Sequence, residues 1–544
     1  MKFSRLPKGS LTKLHSDYSI VLPPPKIKTV INRLFSDYQI NGPDTCHLNG
    51  GSIPMSEWKL SSMGEASNNP IQHLTDSFAP LINNLSITKV QISTEKEFRR
   101  KIAPRNIHKG KVYEQSFGEL AQNPDSDMSE GLEIELNIVA KLLGYGKTMF
   151  HGDAYDIEPP KHNASAGYVE TKDGRIRISS KGENWLMFQH LATDLKCAIL
   201  EDEFLDISRR YDQDYLVQVA EKYLARYTLT SREDGGPSKG REIYIASALQ
   251  YILELVDTGT HQGSERTGIN LDIHKSPHIL TNSKKAWWYL DEVTGEWILS
   301  KDARRWDKGW PWHHIVCAVY TICRLYKVPE RLCLFIIALN AAAPAFSRKS
   351  GYYVLQYILG VIRSGTGIFV KVNHLLSAYT NWLISMHFDG YPDLGLLFGD
   401  DRALATSASI AGSSELLLTE CNVEEKVGSQ LRSKKGLALV RRYFLLRYGK
   451  SVPVLWSLYR NYLFSERPKW RFELPYDWAL SKRAQLINIS AAIEVNKAYG
   501  DFYDKLEGLF PISWYYNGMT DKELCDLSQP ETVKEYNYAI SMVE

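Results

Sequence analysis

The 7 cysteines of this chain include no CxxC pair, so neither a structural zinc site nor a disulfide framework is indicated. A reducing compartment fits that usage best. Charge of one sign is not in excess: 65 Lys and Arg face 63 Asp and Glu, leaving a net of +2. That balance rules out a highly charged, disordered chain. Long apolar runs are missing too. The most apolar stretch, residues 332–346, is interrupted by Asn340 and Pro344 and is short for a bilayer, so it reads as a core helix and no membrane segment is expected. The first residues, Met-Lys-Phe-Ser-Arg-Leu-Pro, are basic but lack the apolar centre of a signal peptide. Internal repeats, low-complexity tracts and a GxxxxGK[ST] phosphate loop are absent as well.

What remains is an ordinary globular composition over 544 residues, long enough for several lobes around a large core. Residues 1–92, with three consecutive prolines at 23–25 and Gly50-Gly51, read as linkers and loops with short elements between them. Two basic clusters stand out. Residues 95–111 are basic on balance, and residues 426–450 hold eight Lys or Arg and no acid, a surface for an anionic partner or for solvent.

The chemistry concentrates around Gly399-Asp400-Asp401. Apolar runs on both sides predict two buried strands meeting in a hairpin, with the carboxylates at its tip. Adjacent acids at a strand end suit a hard divalent cation. A second acidic site follows an apolar strand over 297–301, which delivers Asp302, with Asp307 five residues later. Pro311 then opens a helix through 326. His313 and His314 are adjacent and cannot share one helix face, which argues against metal ligation there. Residues 363–367 (Arg-Ser-Gly-Thr-Gly) form a flexible turn before a helix over 368–382 that carries Asn373, and a helix start of this kind can contact phosphate or ribose. Further on, a helix over 410–420, a turn at 425–428 and a strand over 441–447 are expected, and the last hundred residues read as a largely helical lobe.

Two pieces upstream carry weaker signals. Residues 164–168 (Ala-Ser-Ala-Gly-Tyr) allow close backbone approach to a ligand, followed by Lys172, Arg175 and Arg177. Residues 231–241 form a glycine-rich basic loop with Arg232, Lys239 and Arg241, running into a strand over 242–245.

In this order and spacing the blocks resemble the palm-type RNA-dependent RNA polymerases of RNA viruses, loosely those of picornavirus-like and small double-stranded RNA viruses such as picobirnaviruses and partitiviruses. The match spans about half the chain. Asp302 with Asp307 resembles the first catalytic block, Ser364-Gly365 with Asn373 the second, and Gly399-Asp400-Asp401 the third. Lys426 is similar to the lysine of the fourth, while Arg441 and Arg442 lie on a strand like the one that grips the primer end. Ser165 and Gly167 resemble a template-entry block, and Lys239 and Arg241 the basic block that meets triphosphate, with Arg232 on the RNA path. The chain departs from the pattern at Phe369, where threonine is frequent, at Arg363, where proline is frequent, and in the bulky Arg304-Arg305-Trp306 between the two acids.

The resemblance implies an α+β right-hand polymerase with an antiparallel-sheet palm and mostly helical fingers and thumb. Its layout would be an N-terminal extension (1–92), fingers (93–285), palm (286–328 and 356–450) with a fingers insertion (329–355), and thumb (451–544). Nucleotidyl transfer at a pair of Mg²⁺ ions, with Mn²⁺ as substitute, would use Asp302, Asp400 and Asp401 as ligands and Lys426 as general acid. RNA template and product, ribonucleoside triphosphates and a viral capsid protein are the implied partners, and the host cytoplasm or the virion interior the implied location. A reverse transcriptase is the nearest rival, and a non-catalytic RNA-binding or capsid-associated protein of the same fold is the rival from another class. Asp307 and Asn373 favour ribonucleotides, because both suit a 2′-hydroxyl.

Overall fold

The computed structural model describes residues 18–19, 45–48, 51–54, 126–147, 152–158, 170–171, 185–223, 227–232, 241–259, 275–301, 303–304, 306–343, 345–349, 352–356, 361–406, 424–425, 431–440, 442–453, 475–494, 500, 503–504 and 519–543. Ser165, Gly167, Lys239, Asp302, Lys426 and Arg441 lie outside them, as do the basic run 95–111 and the expected helix 410–420.

In chain order, helices α1 (Ser126–Leu143), α2 (Trp185–Glu201) and α3 (Gln213–Lys222) precede a hairpin of β1 (Tyr227–Arg232) and β2 (Arg241–Ala246) and the short α4 (Ala248–Leu255). Then come α5 (Ser283–Glu292), β3 (Trp297–Lys301), α6 (Trp312–Leu325), α7 (Glu330–Ala341), the hairpin β4 (Ala345–Lys349) and β5 (Tyr352–Gln356), and α8 (Phe369–Phe388). The hairpin β6 (Leu396–Phe398) and β7 (Asp401–Thr406) leads to β8 (Leu431–Ser433), β9 (Gly436–Leu439), β10 (Arg442–Leu445) and β11 (Lys450–Pro453). The chain closes with α9 (Pro475–Ser490), α10 (Asp521–Leu527) and α11 (Pro530–Ser541).

Pro311 occupies the N-cap of α6 with φ −57°, the fixed angle proline supplies to a helix start. Ile315, Val316, Val319, Ile322 and Cys323 then bury one continuous flank. The apolar segment 332–346 is not one helix: α7 ends at Ala341, and Ala345 and Phe346 belong to β4. Its helical rhythm stops where a proline, at 344, follows within three residues. Of the turn expected over 425–428 only Glu425 is described: Glu424–Glu425 pairs antiparallel with Ala303–Arg304, and 426–428 lie outside the described residues.

Two sheets position the chemistry. One has the order β6-β7-β3-β8, with all neighbours antiparallel. Alternate residues of β7 enter different cores, Ala403 and Ala405 on one face with α5, Leu404 on the other with α8, so the period of two buries the strand on both faces. Neighbouring β9, β10 and β11 form a three-stranded sheet tied to β3 where Ala438 N–H donates to Ser300 Oγ at 2.8 Å. The second sheet has the order β5-β4-β1-β2, antiparallel except for the parallel β1–β4 pairing. Helix α8 lies at the centre of the main core and is buried almost all round, so its polar residues need internal partners. Thus Lys371 Nζ donates to Gly259 O at 2.8 Å and Asn381 Nδ2 to Leu394 O at 2.9 Å.

Candidate active site

The Gly-Asp-Asp hairpin forms as its sequence predicts. Phe398 pairs with Asp401, leaving Gly399 and Asp400 as a two-residue loop. Gly399 alone carries a positive φ there, +64°, the conformation that a glycine-first hairpin turn demands. Asp400 and Asp401 are both part-exposed at the tip. Behind them the entry to β6 is clamped: Asp393 Oδ1 accepts from Gly395 N–H at 2.7 Å, and Tyr289 Oη donates to Asp393 Oδ2 at 2.9 Å while accepting from Ala405 N–H at 2.7 Å. At Gly395 an added Cβ would stand 2.0 Å from the Ala403 carbonyl oxygen, so the two strands meet there at backbone distance.

Register brings the remote blocks to this tip. Lys301, the residue before Asp302, is the Cα partner of Arg402, the residue after Asp401. Ala303, the residue after Asp302, pairs with Glu425, the residue before Lys426. Asp307 accepts at its backbone carbonyl from Ile362 N–H at 2.8 Å, two residues before Ser364. Asn373 Oδ1 accepts from Trp306 Nε1 at 2.5 Å, and its Nδ2 stands 3.3 Å from where a Cβ of Gly399 would be. Four blocks up to 122 positions apart along the chain (303 to 425) are thereby linked pairwise, and the two carboxylates present at the tip are the hard oxygen donors that Mg²⁺ prefers.

The serine-glycine turn is held by the β1–β2 side of the molecule. Gly365 forms a parallel bridge with Ile245, and a Cβ on it would stand 1.9 Å from Tyr244 O. Ser364 Oγ is shielded from solvent and takes no hydrogen bond among the described residues. Arg363, at the position where the pattern has proline, is wholly buried, lays its guanidinium 4.6 Å from the Tyr227 ring centre and donates to Ala343 O. Glu254 completes the anchor: it is 0% exposed, accepts from Gly367 N–H and from Asn340 Nδ2 at 2.7 Å, and attracts Arg363 electrostatically. Sequence reading missed Glu254; its signal is a single acid in the otherwise uncharged α4, Ala-Leu-Gln-Tyr-Ile-Leu-Glu-Leu. Trp306 and Arg402 were missed as well. The Arg402 guanidinium lies 5.2 Å from the Trp306 ring centre and donates to Thr380 Oγ1 of α8.

His374, next to Asn373, is buried with its ring 6.4 Å from that of Phe398, and burial pushes its pKa down to about 4. His313 is lowered by burial, and His314 is lowered to about 3 by burial first and by the neighbouring His313 second. No His, Cys, Asp or Glu cluster able to hold a metal is found among the described residues.

Arg232 and Arg241 are cross-strand Cα partners at the loop end of the β1–β2 hairpin. Arg442 takes a different place from the one expected. It is 8% exposed, and its guanidinium donates to Ser451 Oγ at 2.9 Å, Ser451 O at 3.2 Å and Asn488 Oδ1 at 2.6 Å. Rather than facing RNA, it braces β10 against β11 and α9. Buried guanidinium groups require that many acceptors, which a sequence cannot show.

Over nearly its whole length the chain is similar to two solved structures. One is the RNA-dependent RNA polymerase of a human picobirnavirus, at 12% identity and TM-score 0.49, covering 97% of this chain and 98% of that one. The other is an insertion-loop deletion mutant of a human picobirnavirus polymerase, at 11% identity and TM-score 0.44, covering 96% and 97%. No family model matches the sequence, and no curated protein does. Among the described residues no helix is long and apolar enough to cross a membrane.

Proposed function

We propose that this chain is an RNA-directed RNA polymerase that replicates and transcribes a viral genome by nucleotidyl transfer. One observation carries the reading: the residue before Asp302 pairs with the residue after Asp401, the residue after Asp302 pairs with the residue before Lys426, Asp307 bonds Ile362 just ahead of the serine-glycine turn, and Asn373 stands beside Gly399. Asp302, Asp400 and Asp401 would hold the Mg²⁺ pair, which when bound supplies charge neutralisation for the attacking 3′-oxygen and the departing pyrophosphate. The remaining work is positioning, as expected for phosphoryl chemistry. Ser364 and Gly365 would set the incoming sugar. Asp307 and Asn373 would read its 2′-hydroxyl. Lys426 would donate a proton to the leaving group. Lys239 and Arg241 would hold the triphosphate, with Arg232 on the RNA path. Ser165, Gly167 and Arg441 would line the RNA path.

In this reading the β6-β7-β3-β8 sheet is the palm, the β5-β4-β1-β2 sheet with α1 to α4 belongs to the fingers, and α9 to α11 form the thumb, with residues 1–92 as an extension. The enzyme would act in the host cytoplasm or inside the particle, with a capsid protein as a further partner.

Primer extension on an RNA template tests this, with Mg²⁺ or Mn²⁺ and with the native chain beside Asp400→Ala. Loss of at least ~10³-fold in the variant is expected, because the reaction depends on electrostatic stabilisation at that point. Equal incorporation by both chains would remove the assigned site. Preference for deoxynucleotides would make it a reverse transcriptase, and RNA binding with no incorporation by either chain would make it a binding protein.

A further inference from the structure

We infer that Trp306, between the two acids of the first block, is a positioning residue for sugar selection: it fixes the Asn373 amide with its NH₂ group toward the nucleotide. The inference rests on the polymerase reading above.

Indole nitrogen only donates, so its partner on Asn373 must be the amide oxygen, and the 2.5 Å contact from Nε1 to Oδ1 meets that requirement. The opposite end of the amide, Nδ2, then faces the Gly399 turn, 3.3 Å from an added Cβ. Trp306 itself has little freedom. Its ring is buried, packs edge-on against Trp310 with centroids 5.2 Å apart, and carries the Arg402 guanidinium at 5.2 Å from its centre. An amide whose oxygen is engaged in this way offers a ligand donors only. Asp307, one residue along the chain, offers a carboxylate, an acceptor only. A group that satisfies both must donate and accept at once, as a 2′-hydroxyl does. A 2′-hydrogen does neither, and a 2′-fluorine cannot donate. Without the indole N–H the amide would be free to turn over and present its oxygen, and half of the test for a hydroxyl would be lost.

The experiment compares incorporation of ribo-, 2′-fluoro- and 2′-deoxynucleoside triphosphates, as kcat/KM ratios, in the full chain. Three chains are used: native, Trp306→Phe, and one carrying benzothienylalanine at 306, which keeps the bicyclic shape and replaces N–H by sulfur. The ribo-to-deoxy ratio should fall ~10-fold in both altered chains, the worth of one buried hydrogen bond. A double cycle with Asn373→Ala should be non-additive, since removing the amide leaves Trp306 nothing to orient. An unchanged ratio in the benzothienyl chain, at a melting temperature equal to native, would overturn the inference, as would additive effects. A native chain that incorporates no nucleotide at all would instead sink the polymerase reading. Hydrogen exchange at the Trp306 indole reads the contact without turnover: slow exchange supports it, and exchange at the rate of an exposed indole refutes it.

Discussion

Gly365 lies against the carbonyl of Tyr244 so closely that a Cβ at that position would be 1.9 Å from the oxygen. The turn that would set the sugar is thus seated on β2 rather than on its own helix, and it is seated there only because no side chain intervenes. Gly365→Ala should lift the turn, lowering stability by about 1–3 kcal/mol as overpacking does. It should also lower incorporation ~100-fold or more, since a displacement of about 1 Å at a positioning group has that effect. Gly131→Ala is the matched control, in an α1 position with no atom within 4 Å of the new Cβ; it should stabilise by about 0.5–1 kcal/mol. Melting curves and primer extension on both variants check the pair.

Glu254 supplies acceptors to the same turn. Glu254→Ala would leave Gly367 N–H unmet, the Asn340 amide with only its bond to Ile336 O, and Arg363 without its neighbouring anion. A loss of about 3–5 kcal/mol is expected from uncovering such a buried charge, measured by urea denaturation, with Glu254→Gln falling between the variant and the native chain.

Acid should destabilise the fold through its buried imidazoles. His374 and His314 are held at about 4 and about 3 by burial, and for His314 by His313 in addition, against about 6.5 in the unfolded chain. Between pH 6.5 and about 4 the unfolded state therefore binds more protons, so stability is full above 6.5 and falls as pH drops through that window, by up to about 1.4 kcal/mol per pH unit for each imidazole. Urea midpoints at pH 7, 6 and 5 measure the slope. His374→Leu should flatten it by about one proton; a slope identical to native in both His374→Leu and His314→Leu chains would contradict the assignment.

Arg442→Ala should act on stability and not on RNA. Its bonds to Ser451 and Asn488, with Ser451 Oγ donating to Met542 O, join β10, β11, α9 and the end of α11. A loss of about 2–4 kcal/mol is expected as buried acceptors lose a charged donor. The dependence of RNA affinity on salt should keep its native slope, which a residue neutralising a phosphate would reduce by about one.

The elements that could be read from sequence are those whose cause is local. The Gly399 hairpin follows from a glycine between two apolar runs, and α6 from Pro311 and a helical spacing of apolar residues. Strand β3 and the helix after the serine-glycine turn appear where expected, with α8 running six residues further, to Phe388. What sequence could not show has partners far along the chain. Glu254 meets Gly367 across 113 positions, Trp306 meets Asn373 across 67, and Arg442 meets Asn488 across 46. A buried arginine and a phosphate-binding arginine look the same until those partners are in place. The helix expected over 332–346 failed for a related reason: Ala345 and Phe346 have the apolar character of a core helix but find their ladder partners in β1 and β5.

The close approach at Gly365 has a counterpart at Gly395, where the phantom Cβ falls 2.0 Å from Ala403 O. Any change in the first or second base of a glycine codon yields either a stop or an amino acid bearing a Cβ. To single-base change these two codons are therefore dead ends, open only to silent third-base drift, and a compound wedged against either backbone seam would meet few single-step escapes there.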